Sequence, residues 1–315
     1  MKVDAHALYK TEYYPIFAVL FAFVAISNVI SILYYIFNLY VTIRVKHYKN
    51  NIKILHQAIY ATCPFSSAYI IIDNVCGIFE KREELRLLPP SYFMFRAFIK
   101  SPPLFALTAI MLERLCATYY VKDYEKNQRP IIPFLIIIFL IILSFIASTV
   151  FTSVGMVLYF GVCHFSFIFV CYIVSVITYR TNRRYYYNNR VDQHSYSLGE
   201  RYQISENLRL YMFFSHYLFV MAVFPIICTL TIVLDSFNSN FLLREIYQII
   251  FDLSFTLLCF LAPYLTYKMS EAWQNELHRI YVKIGLRKPN KIQSVRYSSR
   301  KLKGTFGEDI NVEMN

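Results

Sequence analysis

Residues Ile131–Tyr179 read IIPFLIIIFLIILSFIASTVFTSVGMVLYFGVCHFSFIFVCYIVSVITY and contain no Asp, Glu, Lys or Arg. A helix rises about 1.5 Å per residue, and the hydrocarbon core of a bilayer is about 30 Å thick. The run is too long for one crossing and long enough for two. Its small and polar residues at Ser153–Gly155 predict the turn. One membrane helix is therefore expected over Ile131–Phe151 and the next over Val157–Tyr179.

Toward the N-terminus, a charged connection, Lys122 to Arg129, precedes this run, and Pro130 opens it. Before that connection, Tyr92–Tyr120 reads as a further helix, with Pro102-Pro103 expected to kink it. A charged stretch, Glu80 to Arg86, and Pro89-Pro90 separate it from an apolar segment over Ile54–Phe79. The first apolar run, Tyr14 to Ile43, is too long for the core of a signal peptide and ends in Arg44, Lys46, His47 and Lys49. It reads as a span, Ile16–Ile43, that acts as its own signal anchor. Toward the C-terminus, Arg180 to Arg209 reads as the longest internal loop. Helices are then expected over Leu210–Leu234, interrupted by Pro225, and over Ile246–Tyr267, with Pro263 near its end.

The expected fold is an all-α membrane protein: an N-terminal segment, residues 1–15, then a bundle of seven transmembrane helices, residues 16–267. After it, Met269, Trp273, Leu277, Ile280 and Ile284 recur at helical steps, with Glu271, Gln274, His278, Arg279 and Lys283 on the opposite face. Ser270 and Gly285 suit the two caps. Residues 268–285 thus read as an amphipathic helix lying in the membrane interface. Residues 286–315 are polar and basic, and are expected to be a disordered tail.

Composition agrees. Of 315 residues, 57% are hydrophobic and 17% charged, against roughly 45–50% and about 25% in soluble domains. The net charge of +12 sits in short runs beside apolar spans. That distribution fits topology signals and lipid headgroups, not nucleic acid. On the seven-span reading, connections on one side carry 23 Lys and Arg and those on the other carry 8. The basic side is cytoplasmic, so the N-terminus is expected outside and the C-terminus inside. The seven cysteines form no C-x-x-C pair. Most fall in apolar segments and read as small buried side chains. No cofactor and no metal site is expected.

Two short runs carry more information. Residues Met111–Arg129 read MLERLCATYYVKDYEKNQR, with Glu113-Arg114 at the cytoplasmic end of the third helix. A carboxylate next to a guanidinium there can hold a resting state, because the arginine can pair locally or swing to another helix. The bland alternative is a snorkelling pair. Residues Glu200–Asn207 read ERYQISEN, just before the sixth helix. Together, Glu113, Arg114, Ala117, Thr118, Tyr124 and Glu125, with Arg201, Tyr202, Gln203, Glu206 and Asn207, resemble the nematode serpentine chemoreceptors of the Sra superfamily. Class epsilon is the nearest, ahead of classes alpha, alpha-beta and beta. The resemblance spans nearly the whole chain. It implies a G-protein-coupled-receptor-like sensory receptor in the plasma membrane of chemosensory neurons. Its partners would be a small-molecule ligand, a heterotrimeric G protein and membrane lipids, with homo- or hetero-oligomerisation left open.

The chain departs from the rhodopsin-like pattern. Leu115 replaces an aromatic residue after Glu113-Arg114, and Pro263 and Tyr267 have three residues between them instead of two. An outer disulfide and a mid-membrane acid on the second helix are not expected.

The candidate site residues follow from this frame. Glu113, Arg114 and Glu206 would form a conformational switch. Arg180, Arg183, Arg184 and Arg201 would line the G-protein contact. Intramembrane ionisable groups are functional candidates because burial without a partner costs several kcal/mol. On that ground Arg96, His164 and Asp252, with Phe255, would contact a ligand. Phe95, Phe98, Phe160 and Phe251 are further pocket candidates. Arg96 is the nearest basic partner expected for Asp252; a neutral ligand is expected if the two pair, and an amine if Asp252 is free. A transporter or chemosensory channel is the competing class, but the halves of the chain show no repeat. An enzyme would want clustered histidines or paired aspartates. The histidines are scattered, and Asp73 and Asp252 stand apart in the sequence.

Overall fold

The computed structural model describes residues 12–45, 50–79, 81, 84–85, 87–120, 131–152, 156–191, 219–269 and 271–286, with residues 302–303 and 309–310 of the tail. In chain order the helices are α1 (Tyr14–Arg44), α2 (Asn50–Tyr60), α3 (Cys63–Ile78), α4 (Pro90–Leu104), α5 (Ala106–Tyr119), α6 (Ile131–Thr152) and α7 (Val157–Val191). They continue with α8 (Phe219–Phe237), α9 (Phe241–Met269) and α10 (Glu271–Lys283). Among the described residues, α1, α6, α7, α8 and α9 are each long and apolar enough to cross a membrane. A sixth crossing results if α4 and α5, bent by 45° at Phe105, form one broken span.

Proline decides where the apolar segments break. Pro102 and Pro103 end α4, as their missing N–H groups require. Pro64, in the first turn of α3, splits the expected single helix over Ile54–Phe79 into α2 and α3, with Ala61 and Thr62 between them. Lys53, in the first turn of α2, reaches back to the end of α1. The Lys53 ammonium donates to the carbonyls of Ile43 and Val45 at 3.1 and 3.0 Å, satisfying acceptors that helix α1 leaves open.

Two boundaries differ from expectation. Helix α7 runs about three turns past Tyr179. Residues 162–191 hold no Gly or Pro to stop it, and Arg183 lies over the Tyr187 ring four residues on, 5.6 Å from its centroid. Helix α9 starts at Phe241 because Asn240 caps it, its side-chain oxygen accepting the Leu242 N–H at 3.0 Å. Residues 210–218 of the expected sixth helix lie outside the described residues.

Helix α1 packs on α3 and α9, α4 on α3 and α6, and α5 on α6 and α7. Helices α7 and α8 meet at Gly161, where a Cβ would lie 2.8 Å from Val233 Cγ2. Small residues permit such close approach between membrane helices.

A carbonyl freed by proline must find another donor away from water. Pro103 frees the Ile99 carbonyl, and Ser66 Oγ on α3 donates to it at 3.1 Å. Pro263 frees the Cys259 carbonyl, and the Tyr35 hydroxyl on α1 donates to it at 2.5 Å. Polar side chains of neighbouring helices thus satisfy both carbonyls.

The chain divides into two compact units, Met1–Trp273 and Gln274–Asn315. In the second, Gly285 adopts φ 80, and the Gly285 and Leu286 N–H groups donate to the Val282 and Tyr281 carbonyls at 3.1 and 2.9 Å. Such a close suits glycine in the left-handed region. In the tail, Leu302–Lys303 pairs antiparallel with Asp309–Ile310.

Candidate functional site

Arg96 and Lys100 lie four residues apart on α4, so they share one face. Each meets an acid on a different helix. Arg96 pairs with Asp73 on α3. Lys100 Nζ lies 3.3 Å from Asp252 Oδ1 on α9, and 5.1 Å from the Phe251 ring centroid. The expected Arg96–Asp252 pair is therefore corrected to Lys100–Asp252. Depth explains the exchange. Lys100 lies about 15 Å along α4 and Asp252 about 17 Å along α9, each measured from the helix start, whereas Arg96 is a turn shallower and level with Asp73.

Asp252 is 0% exposed and Lys100 5%. Asn74 on α3 completes the cluster, its Nδ2 donating to Asp252 Oδ2 at 3.3 Å and to the Ile70 carbonyl at 2.8 Å. Thr256 donates to the Asp252 carbonyl at 2.6 Å, and Asn28 on α1 donates to the Thr256 hydroxyl at 3.0 Å. Lys100 on α4 and Asn74 on α3 thus meet the Asp252 carboxylate of α9, while Asn28 on α1 reaches the Asp252 backbone only through Thr256. Asp73 and Asp252, apart in the sequence, sit on neighbouring rungs of one ladder along α4.

His164 on α7 has both ring nitrogens engaged. Nε2 lies 3.4 Å from the Leu104 carbonyl and Nδ1 2.7 Å from Thr229 Oγ1 on α8. A carbonyl only accepts, so Nε2 carries the proton and, in the neutral ring, Nδ1 accepts from Thr229. The ring stacks on Phe160, with centroids 5.7 Å apart. This histidine clamps the bend between α4 and α5 and leaves no ring nitrogen for a ligand in this conformation. Phe255 is buried, stacked on Phe251 with centroids 6.1 Å apart. Phe95 is 54% exposed and meets Tyr69 edge-on, so it faces out of the bundle.

Near the end of α5, Arg114 grips Glu113 with two hydrogen bonds, Nε to Oε2 at 2.5 Å and Nη2 to Oε1 at 2.7 Å. Both side chains are buried. Such two-pronged, charge-assisted bonding is the strong kind. Nearby, Asn182 on α7 donates to Thr118 Oγ1 at 3.0 Å. Arg180 and Arg184 are exposed on the extension of α7, and Arg183 is half-buried. Arg201 and Glu206 lie outside the described residues.

A further group was not legible in the sequence. The Trp273 indole is buried, donates to Thr42 Oγ1 on α1 at 3.4 Å, and packs against His56 on α2. His56 in turn packs against Tyr60, and Tyr60 stacks on Tyr35, the residue that donates to the carbonyl freed by Pro263.

Comparison with known proteins decides the family. The family model of the Sre G protein-coupled chemoreceptors matches residues 6–315. The chain belongs to the Sre family. It is 28% identical over 294 residues to serpentine receptor class epsilon-13 of Caenorhabditis elegans, covering 89% of this chain and 82% of that one. It is 21% identical over 288 residues to serpentine receptor class epsilon-8 of the same nematode, covering 88% and 80%. A shorter match to class epsilon-37, 42% over 59 residues, covers 18% and 16%. As an Sre protein the chain is a multi-pass membrane receptor of a chemosensory family within the Sra superfamily, and it is not an enzyme.

Proposed function

We propose that this Sre protein binds a small molecule on its outer side and activates a heterotrimeric G protein on its cytoplasmic side. In this reading the bundle has seven spans, α2 with α3 and α4 with α5 each forming one broken span. The N-terminus is extracellular, the C-terminus is cytoplasmic, and the host is the plasma membrane of a sensory neuron. Helix α10 lies in the membrane interface.

The observation that carries the reading is the buried Glu113–Arg114 pair at the end of α5, in a chain of a G protein-coupled chemoreceptor family. Two charges withdrawn from water and locked to each other cost more than apolar residues of the same size. A switch gives them a reason to be there. Arg114 holds Glu113 at rest and exchanges it for Glu206 when the receptor opens. The cleft so exposed is lined by Arg180, Arg183, Arg184 and Arg201, which suits acidic partner surfaces. The ligand sits between α4, α7, α8 and α9, near Arg96, Asp252 and Phe255, with His164 shaping the site through the bend it clamps.

The test is nucleotide exchange. Receptor in lipid nanodiscs, mixed with purified G-protein heterotrimers and odorant pools, should accelerate guanine-nucleotide exchange. The Arg114→Ala variant should reach the cell surface and lose the acceleration. Unchanged exchange in that variant would reduce the pair to a structural contact.

A further inference from the structure

Asp252 lies in the bundle interior with its charge already neutralised by Lys100. The surrounding hydrogen bonds are unevenly filled. An ammonium has three N–H donors. Among the described residues, that of Lys100 makes one hydrogen bond, to Asp252, and turns another side to the Phe251 ring. Asn74 uses both hydrogens of its amide, on Ile70 and Asp252, while its Oδ1 is buried without a hydrogen-bond partner. Both groups touch the same carboxylate. One spare cationic donor and one empty amide acceptor therefore lie on either side of Asp252, beside the stacked rings of Phe251 and Phe255.

We infer that this cluster binds the head group of a neutral ligand that both accepts and donates a hydrogen bond, an aliphatic alcohol or a primary amide. The inference rests on the receptor reading above and names its ligand class. Charge balance excludes the ionic alternatives. An ammonium ligand would compete with Lys100 for Asp252 and leave an extra positive charge in the interior. A carboxylate would leave an extra negative one. Either charge is costly in a dry bundle. A hydroxyl or amide changes no charge: its oxygen accepts from Lys100, and its hydrogen goes to Asn74 Oδ1. A ketone or ether satisfies only the first. The apolar body of the ligand lies against the two phenylalanines. Arg96, pinned to Asp73 a turn nearer the start of α4, stands on the entry side.

The test uses matched six-carbon probes, 1-hexanol, hexanamide, hexylamine, hexanoate and hexane, with the full chain in lipid nanodiscs. The readout is thermal unfolding of the receptor over a titration of each probe. Hexanol and hexanamide should raise the midpoint saturably. The amine, the acid and the alkane should not. Asn74→Leu should weaken the hexanol and hexanamide affinities about tenfold or more, the loss of a hydrogen bond within a charged cluster. Probe selectivity is read on the unmodified chain, so it stands whether or not that variant folds. Equal or greater stabilisation by hexylamine or hexanoate overturns the proposal, and so does a flat response to all five probes. A flat response with nucleotide exchange to an odorant pool intact removes this site and leaves the receptor. Absent exchange with hexanol selectivity intact removes the coupling and leaves the site.

Discussion

Removing Asp252 would strand Lys100 in the bundle interior, and removing Lys100 would strand Asp252. Loss of one partner from a buried pair costs about 3–5 kcal/mol, because the remaining charge has neither water nor a counter-charge. Asp252→Asn and Lys100→Met should each lower the thermal midpoint in nanodiscs markedly. The double variant Lys100→Met with Asp252→Asn should recover most of the loss. Purely additive losses would mean that the two do not interact. The hydrogen bond of Tyr35 is a smaller matter. Tyr35→Phe removes one hydroxyl donor from the Cys259 carbonyl, and hydrogen bonds in membrane bundles are worth about 0.6 kcal/mol on average. A small downward shift of the midpoint is expected. A loss as large as that of Asp252→Asn would mean that Tyr35 does more than satisfy a carbonyl.

At the scale of elements, the bend between α4 and α5 and the contact between α7 and α8 can be tested separately. Replacing Pro102 and Pro103 with alanine restores two backbone donors, and the Ile99 carbonyl then prefers its own helix to Ser66. The 45° bend should open. Spin labels at the start of α4 and the end of α5 should move apart by about 3 Å, the difference between a bent and a straight rod of that length. No change would show that Ser66 and His164 impose the bend without help from proline. At Gly161 a methyl group would meet Val233 at 2.8 Å. Overpacking of this kind costs about 1–3 kcal/mol. Gly161→Ala should lower thermal stability, and Val233→Ala should restore it in the double variant. Failure of that rescue would place the clash elsewhere.

Across the whole molecule, apolar length is the property easiest to read from sequence. The charge-free run from Ile131 to Tyr179 divides where its composition places the turn, into α6 and α7. The kink at Pro102-Pro103 follows from backbone chemistry alone. The break at Pro64 follows from the same rule, but the apolar residues around it read as one continuous span. The site was legible in its residue types and not in its pairing. Arg96, Lys100, Asp73 and Asp252 are conspicuous as charges in apolar segments. Which cation meets which acid depends on the relative depth of three helices, and a one-turn difference along α4 exchanges the partners. Asn74 carries no signal of its own, since an amide in an apolar segment looks like many others until neighbouring helices are in place, and the pattern that puts Trp273 on the apolar face of the last helix does not say that it meets Thr42 and His56.

A receptor that faces outward with its N-terminus and reaches the cytoplasm with its C-terminus, as proposed above, requires an odd number of spans. This topology is tested most directly by epitope tags at both ends of the chain, stained on intact and permeabilised cells. The Lys and Arg asymmetry of 23 to 8 acts on orientation at insertion. The N-terminal tag should stain on intact cells and the C-terminal tag only after permeabilisation. A C-terminal tag visible on intact cells would contradict it, because the Glu113–Arg114 pair and the arginines of α7 would then face away from any G protein.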